Sequence, residues 1–340
     1  MSLVQVVLKY RSLSIVGMEK NTGKTECFNY LVRKLPDECL NIAVTSIGLD
    51  GERVDSVTGT KKPEIMLRRG MYFATSEKLY KKKEILSEVV NVSESSGSLG
   101  RTITAKALAS GKVMLAGPPA TVQLRKWMEE MTIKFKTRMC IIDGAISRMS
   151  LASPAVSEAM ILTTGAALSM NIDSLVQKTS RMVDLIKLPV TQICSYEKLK
   201  IISNGIWGII CGEELIDLNI SSSLEIEKVD TDLLSKLEAI FISGALTDIF
   251  LKILTDRIDV SNLEIIVRDF SRIFANHKTL FNFERRGGKI RVLQKSNLIA
   301  ICVNPVSPNG ATLNSERLCS ELSKVIKLPV YDIIREDYEA

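Results

Sequence analysis

Nine residues near the amino terminus carry the chemistry that the rest of the chain must position. They read Gly17-Met18-Glu19-Lys20-Asn21-Thr22-Gly23-Lys24-Thr25. An apolar run, SLSIVG, leads into them, and a helical pattern, TECFNYLVRKL, leads out. Strand, glycine-rich turn and helix in that order are the context of a phosphate-binding loop. Gly23 lets the backbone turn so that its amides point inward. The helix N-terminus adds a positive field where phosphates would sit. Lys24 is suited to neutralise β- and γ-phosphates, and the Thr25 hydroxyl is suited to bind Mg²⁺. The expected nucleotide-binding set is Gly17, Glu19, Lys20, Asn21, Thr22, Gly23, Lys24 and Thr25, with Lys24 also catalytic. Five residues separate the two glycines, where the commonest form has four. A surface loop with a chance Gly-Lys-Thr is the alternative, and the flanking elements argue against it.

Around this loop the pattern alternates strands with helices. Residues 3–8 and 12–17 read as a short strand pair, 25–35 as a helix stopped by Pro36, and 42–47 as a buried strand. The stretch 92–102 reads as a polar loop, and 102–117 as a hairpin turning near Ser110-Gly111. A helix is expected over 121–133, apolar strands at RMCIIDGA and AMILTTGAAL, and a helix over 171–187. Strands without side-to-side polarity indicate a parallel sheet covered on both faces. An extra hairpin lies within 195–230, and 221–232 reads as a connector. A second βα pattern follows (AIFISGA, LTDIFLKIL, LEIIVRD), then a hairpin of KIRVLQ with NLIAICV and a helix over about 313–326. The expectation is an α/β chain. A P-loop NTPase domain with a mostly parallel sheet and inserted hairpins spans 1–225, and a smaller C-terminal α/β domain spans 226–340.

Composition narrows the chemistry. The 340 residues suffice for roughly two domains. The net charge of +6 is too mild to argue for a nucleic-acid partner. A single histidine, His277, excludes mechanisms that need two. The seven cysteines form no C-x-x-C pair and lie mostly in apolar runs, as reduced buried thiols do. The first residues show no basic leader or cleavage site, and no apolar stretch reaches about 18 residues without a charge. The expected location is the cytoplasm, with no membrane partner. Charge runs at Arg68-Arg69 and Lys81-Lys82-Lys83 read as solvated faces, with an acidic partner surface as the alternative.

The long-spaced Gly-x5-Gly-Lys-Thr resembles that of dethiobiotin synthetase, and Lys20 to Thr25 resembles the K-N-[ST]-G-K-T of molybdopterin-guanine dinucleotide accessory proteins. The dethiobiotin synthetase strand ending V-E-G-A is similar to Ile141-Ile142-Asp143-Gly144-Ala145 here. That resemblance implies that Asp143 is the Mg²⁺-associated acid, a catalytic and metal-site residue, since Mg²⁺ prefers hard oxygen ligands. Asp50, after the second strand, is a third metal-site candidate, with a plain Asp-Gly turn as the alternative. The second strand lacks the Lys-Pro of that family, reading Val44-Thr45-Ser46-Ile47-Gly48, so its carboxylation step is not expected.

Over nearly its whole length the chain resembles the lysine 5,6-aminomutase reactivase subunit family. The residues that carry this are SIVGMEKNTGKT, AVTSIGLDGERVDSVTGTKKP, GRTITAKALASGKVMLAGPPATVQL and IIDGAISRMSLASPAVSEAMILTTGAALS. The resemblance implies a subunit that uses ATP and Mg²⁺ to release damaged cofactor from an adenosylcobalamin-dependent lysine or ornithine aminomutase. It would act with a MutS-like ATPase subunit. A dethiobiotin synthetase-like ligase or kinase on a small molecule is the alternative, and a nucleotide-regulated binding protein with little turnover is a third. No Asn-Lys-x-Asp guanine signature is present. ATP against GTP, and homo-oligomer against monomer, stay open.

Overall fold

The structure is a computed structural model that describes residues 2–46, 65–97, 99–118, 120–145 and 156–335. The first apolar run is a helix, α1 (Leu3–Val7), where a strand was expected. Ser2 and Gln5 exchange side-chain and backbone hydrogen bonds, and this capping box sets the first turn. Next come β1 (Ser12–Gly17), α2 (Lys24–Lys34), β2 (Ile42–Ser46), β3 (Ile65–Leu67), β4 (Tyr72–Ser76) and α3 (Glu77–Tyr80). The segment expected to be a polar loop is instead a hairpin, β5 (Ser87–Gly97) and β6 (Gly100–Ala107). Its serines and glutamates suit a strand at the sheet's margin. The short β7 (Gly111–Val113) pairs with β3 and not with β6, which overturns the expected turn near Ser110-Gly111. Then follow α4 (Thr121–Lys134), β8 (Met139–Ala145), β9 (Ala159–Gly165) and α5 (Ile172–Ile186).

The later elements are α6 (Tyr196–Ile201), β10 (Ile206–Ile210), β11 (Glu214–Asp217), α7 (Thr231–Leu234), β12 (Ala239–Ile242) and α8 (Asp248–Arg257). The chain ends through β13 (Glu264–Val267), α9 (His277–Arg285), β14 (Lys289–Val292), β15 (Leu298–Asn304), α10 (Ser315–Val325) and β16 (Val330–Asp332).

Nine strands form one sheet in the order β16-β15-β9-β1-β8-β2-β4-β6-β5. The seven from β16 to β4 are parallel, and the β6–β5 hairpin adds antiparallel to β4. Alternate residues of the central strands feed two cores. Leu13, Ile15, Val44 and Ile141 pack with α1 and with Phe28 and Leu31 of α2. Ala43, Cys140 and Ile142 pack with Leu124, Trp127 and Met131 of α4. Burial on both faces explains the unbroken apolar runs. Burial also pushes the Cys140 thiol pKa up to about 12.

The chain divides into two units, and the division is not the expected 225/226 boundary. The first holds residues 1–152, 156–180 and 297–340, the second 153–155 and 181–296. The carboxyl-terminal segment belongs to the first unit because β15, buried at every position, pairs with β9 and β16. The second unit is therefore an insertion and not a C-terminal domain. For the same reason the expected hairpin of KIRVLQ and NLIAICV does not form: β14 and β15 lie in different sheets. The second unit has a five-stranded sheet, β11-β10-β12-β13-β14, with β12, β13 and β14 parallel. The expected 195–230 hairpin is β10–β11. The 221–232 stretch is not a free connector, since Ser223 and Ile226 are buried within this unit.

Among the described residues, no helix is long and apolar enough to cross a membrane.

Candidate functional site

The expected loop lies at the carboxyl end of β1, between β9 and β8. From β1 the chain first builds one side of the sheet through α2, β2 and β8, then crosses to the other side with β9. Ligands of open α/β sheets bind at such reversals, outside the carboxyl ends of the strands.

Local contacts hold the loop in shape. Met18 N donates to Thr163 O on β9 at 3.0 Å. The buried Thr22 hydroxyl donates to Glu19 O at 2.9 Å and lies 3.3 Å from the Thr163 hydroxyl. Lys24 Nζ donates to Glu19 O at 3.3 Å, so its side chain folds back across the loop. Gly17 makes room for this: a Cβ there would stand 2.6 Å from Thr22 Oγ1 and 2.8 Å from Lys24 Nζ. Asn21 and Gly23 take the left-handed conformation, with φ of 62° and 93°. Gly23 also lies against β15, where a Cβ would come within 2.7 Å of Asn304 Cβ. Gly23 is the N-cap of α2 and supplies no side-chain cap. Glu19 and Lys20 are exposed, and Thr25, the second residue of α2, is half-buried.

The structure brings Asp143 to the same edge. It sits on β8 in register with Ile15 of β1 and with Ser46, the last residue of β2. It is half-buried. Ser46 Oγ donates to Leu115 O at 2.8 Å, fastening the next segment beside it. Asp50 lies outside the described residues. Among the described residues, no group of three or more His, Cys, Asp or Glu side chains is arranged to hold a metal.

Other charged residues singled out in the sequence have local roles. Arg68 donates to the carbonyls of Val32, Arg33 and Leu35 and pairs with Asp37, closing the C-terminal end of α2. Lys83 lies over the Tyr80 ring at 4.4 Å. His277 is exposed and stacks on Phe281.

Two residues at the loop were not singled out from the sequence: Thr163 and Asn304. Both end apolar runs, and nothing local marks them. Their contacts with the loop arise only because β9 and β15 join β1's side of the sheet.

The arrangement combines two left-handed residues, an ammonium and a helix N-terminus without a side-chain cap, with a carboxylate one strand away. It favours a polyanion that arrives with a cation. In comparisons with known proteins, no family model, no curated protein and no solved structure matches this chain.

Proposed function

We propose that the first unit is a P-loop NTPase domain that binds Mg²⁺·ATP at residues 17–25. We further propose that the chain serves as the ATP-hydrolysing subunit of a reactivating factor for an adenosylcobalamin-dependent lysine or ornithine aminomutase. The observation that carries the nucleotide reading is Lys24. It stands at the first position of α2, behind an N-cap with no side chain. A cation there opposes the helix field, by about 0.3–1 kcal/mol, until an anion arrives to reverse the balance. The client enzyme and the MutS-like partner rest on the sequence resemblance in the four quoted segments.

The residues present fit the nucleotide. Asn21 and Gly23 take the left-handed conformation that a phosphate-binding turn uses, and Gly17 makes room for the side chains of Thr22 and Lys24. In this reading Lys24 carries charge to the terminal phosphates, and Thr25 with Asp143 holds Mg²⁺. Mg²⁺ keeps most of its coordination for water and phosphate, so one hydroxyl and one carboxylate suffice from the protein. The metal supplies charge neutralisation at the phosphates. Phosphoryl transfer depends chiefly on positioning and charge stabilisation, so hydrolysis by the isolated chain is slow and rises when a partner completes the site.

The test is Mg²⁺-dependent ATP hydrolysis by the purified chain, alone and with the MutS-like subunit and an inactivated aminomutase. A low basal rate that rises at least tenfold with the proteins is expected. A rate indifferent to them, but stimulated by a consumed small molecule, would replace this reading with a ligase or kinase.

A further inference from the structure

The second unit ends its parallel strands in a cationic turn that the ATP reading does not use. Arg268 follows β13 directly. Its guanidinium lies 5.8 Å from the centre of the Phe241 ring on the neighbouring β12, and it donates to Ile202 O. Arg272 lies four residues further on, and its backbone carbonyl accepts from Leu246 N at 2.8 Å. This fastens the 268–272 segment against the turn that follows β12. Within that turn a Cβ on Gly244 would meet nothing within 4 Å, so the space beside it is open.

Two polar atoms in the segment have no hydrogen-bond partner among the described residues: Ser271 Oγ, on a residue 2% exposed, and the buried Arg272 Nε. A buried donor left unmade costs about 1–3 kcal/mol, so such atoms call for an explanation. The charges point the same way. Burial, and then the proximity of Arg272, hold Arg268 below its ordinary pKa, with Asp269 opposing. Asp269 already accepts from Ser271 N at 2.9 Å.

We propose that Arg268, Ser271 and Arg272 form a binding site for the phosphate group of a small molecule, at the carboxyl ends of β12 and β13. Two guanidiniums match the charge of a phosphate dianion, and their forked donors match its oxygens. The Ser271 hydroxyl and Arg272 Nε gain their missing partner from the same group. The position is the one at which α/β sheets receive ligands. The inference does not depend on a helix end, because Thr247 already caps α8. It is independent of the ATP reading.

The test uses the full chain carrying Lys24→Ala, which silences the first loop, titrated with inorganic phosphate by calorimetry. Retained millimolar binding is expected, with affinity falling about tenfold or more on adding Arg272→Ala and less on adding Ser271→Ala. Arg272→Lys, which keeps the charge and loses the fork, is expected to give an intermediate loss. It also serves as the reading if the alanine variant loses its cooperative melt. No phosphate binding by the Lys24→Ala chain would overturn the proposal. So would equal binding with Arg272 intact and replaced by lysine or alanine.

Discussion

Two βα turns in this chain share an outline and differ at their helix ends. β1 passes to α2 in the first unit, and β12 passes to α8 in the second, each from a strand buried along its whole length. At α8 the N-cap Thr247 accepts from Phe250 N at 3.4 Å, and the first helical residue is Asp248. At α2 the N-cap is Gly23, without a side chain, and the first helical residue is Lys24. One turn answers its own amides and field with a hydroxyl and a carboxylate. The other has no capping side chain and opens on a cation, with Glu26 as the acid of its first turn. The difference is that the second turn satisfies its helix N-terminus with a cap from its own chain, whereas the first leaves that of α2 without a capping side chain. α9 and α10 follow α8, capped by Asn276 and Asn314.

The sharpest way to break this contrast is Lys24→Ala. Loss of a charge-assisted contact to phosphates is expected to weaken Mg²⁺·ATP binding by about a hundredfold, or about 2.8 kcal/mol, in a fluorescent-nucleotide titration. The thermal midpoint should hold or rise, since a cation is removed from a helix N-terminus. Unchanged affinity would remove the basis for reading the first turn as a nucleotide site.

Gly23→Ala comes next. Its left-handed backbone costs an ordinary residue about 1–2 kcal/mol, and the new Cβ would stand 2.7 Å from Asn304 Cβ. A loss of both stability and nucleotide affinity is expected. Thr247→Ala, at the equivalent place in the second unit, should cost about 1 kcal/mol in urea unfolding and leave nucleotide affinity unchanged. Equal effects of the two substitutions on affinity would erase the distinction between the turns.

How much of this was legible beforehand follows from how far each signal reaches along the chain. The β1–loop–α2 segment and the β8 strand with Asp143 were visible, because hydrophobic periodicity and turn residues act over a few positions. The helix α1 was not, since four apolar residues around Gln5 carry no period and only the Ser2–Gln5 box separates helix from strand. β14 and β15 both read as strands, but apolar content says nothing about which sheet a strand joins. The return of residues 297–340 to the first unit was therefore missed, and with it the contact between Asn304 and Gly23. That contact joins residues 281 positions apart (304 − 23), beyond the reach of any local pattern.

The smallest effect tests the second turn through pH. Burial raises the Asp248 pKa, but hydrogen bonds from Thr279 and Asn276 outweigh it and hold the carboxyl below its ordinary value. Asn276 N donates to Asp248 Oδ1 at 2.9 Å, so the charge also fastens the start of α9. A carboxyl whose folded pKa is depressed contributes stability above its unfolded value and loses it as pH falls through the folded value. Asp248→Asn should therefore lower the thermal midpoint at pH 7. The gap between the two proteins should shrink as pH falls below about 4, the ordinary carboxylate range. Nucleotide affinity at pH 7 should not change. A gap that persists undiminished in acid would mean that Asp248 acts through its shape and hydrogen bonds. The field of α8 would then not be answered by charge, and the contrast with Lys24 would narrow to the cap residue alone.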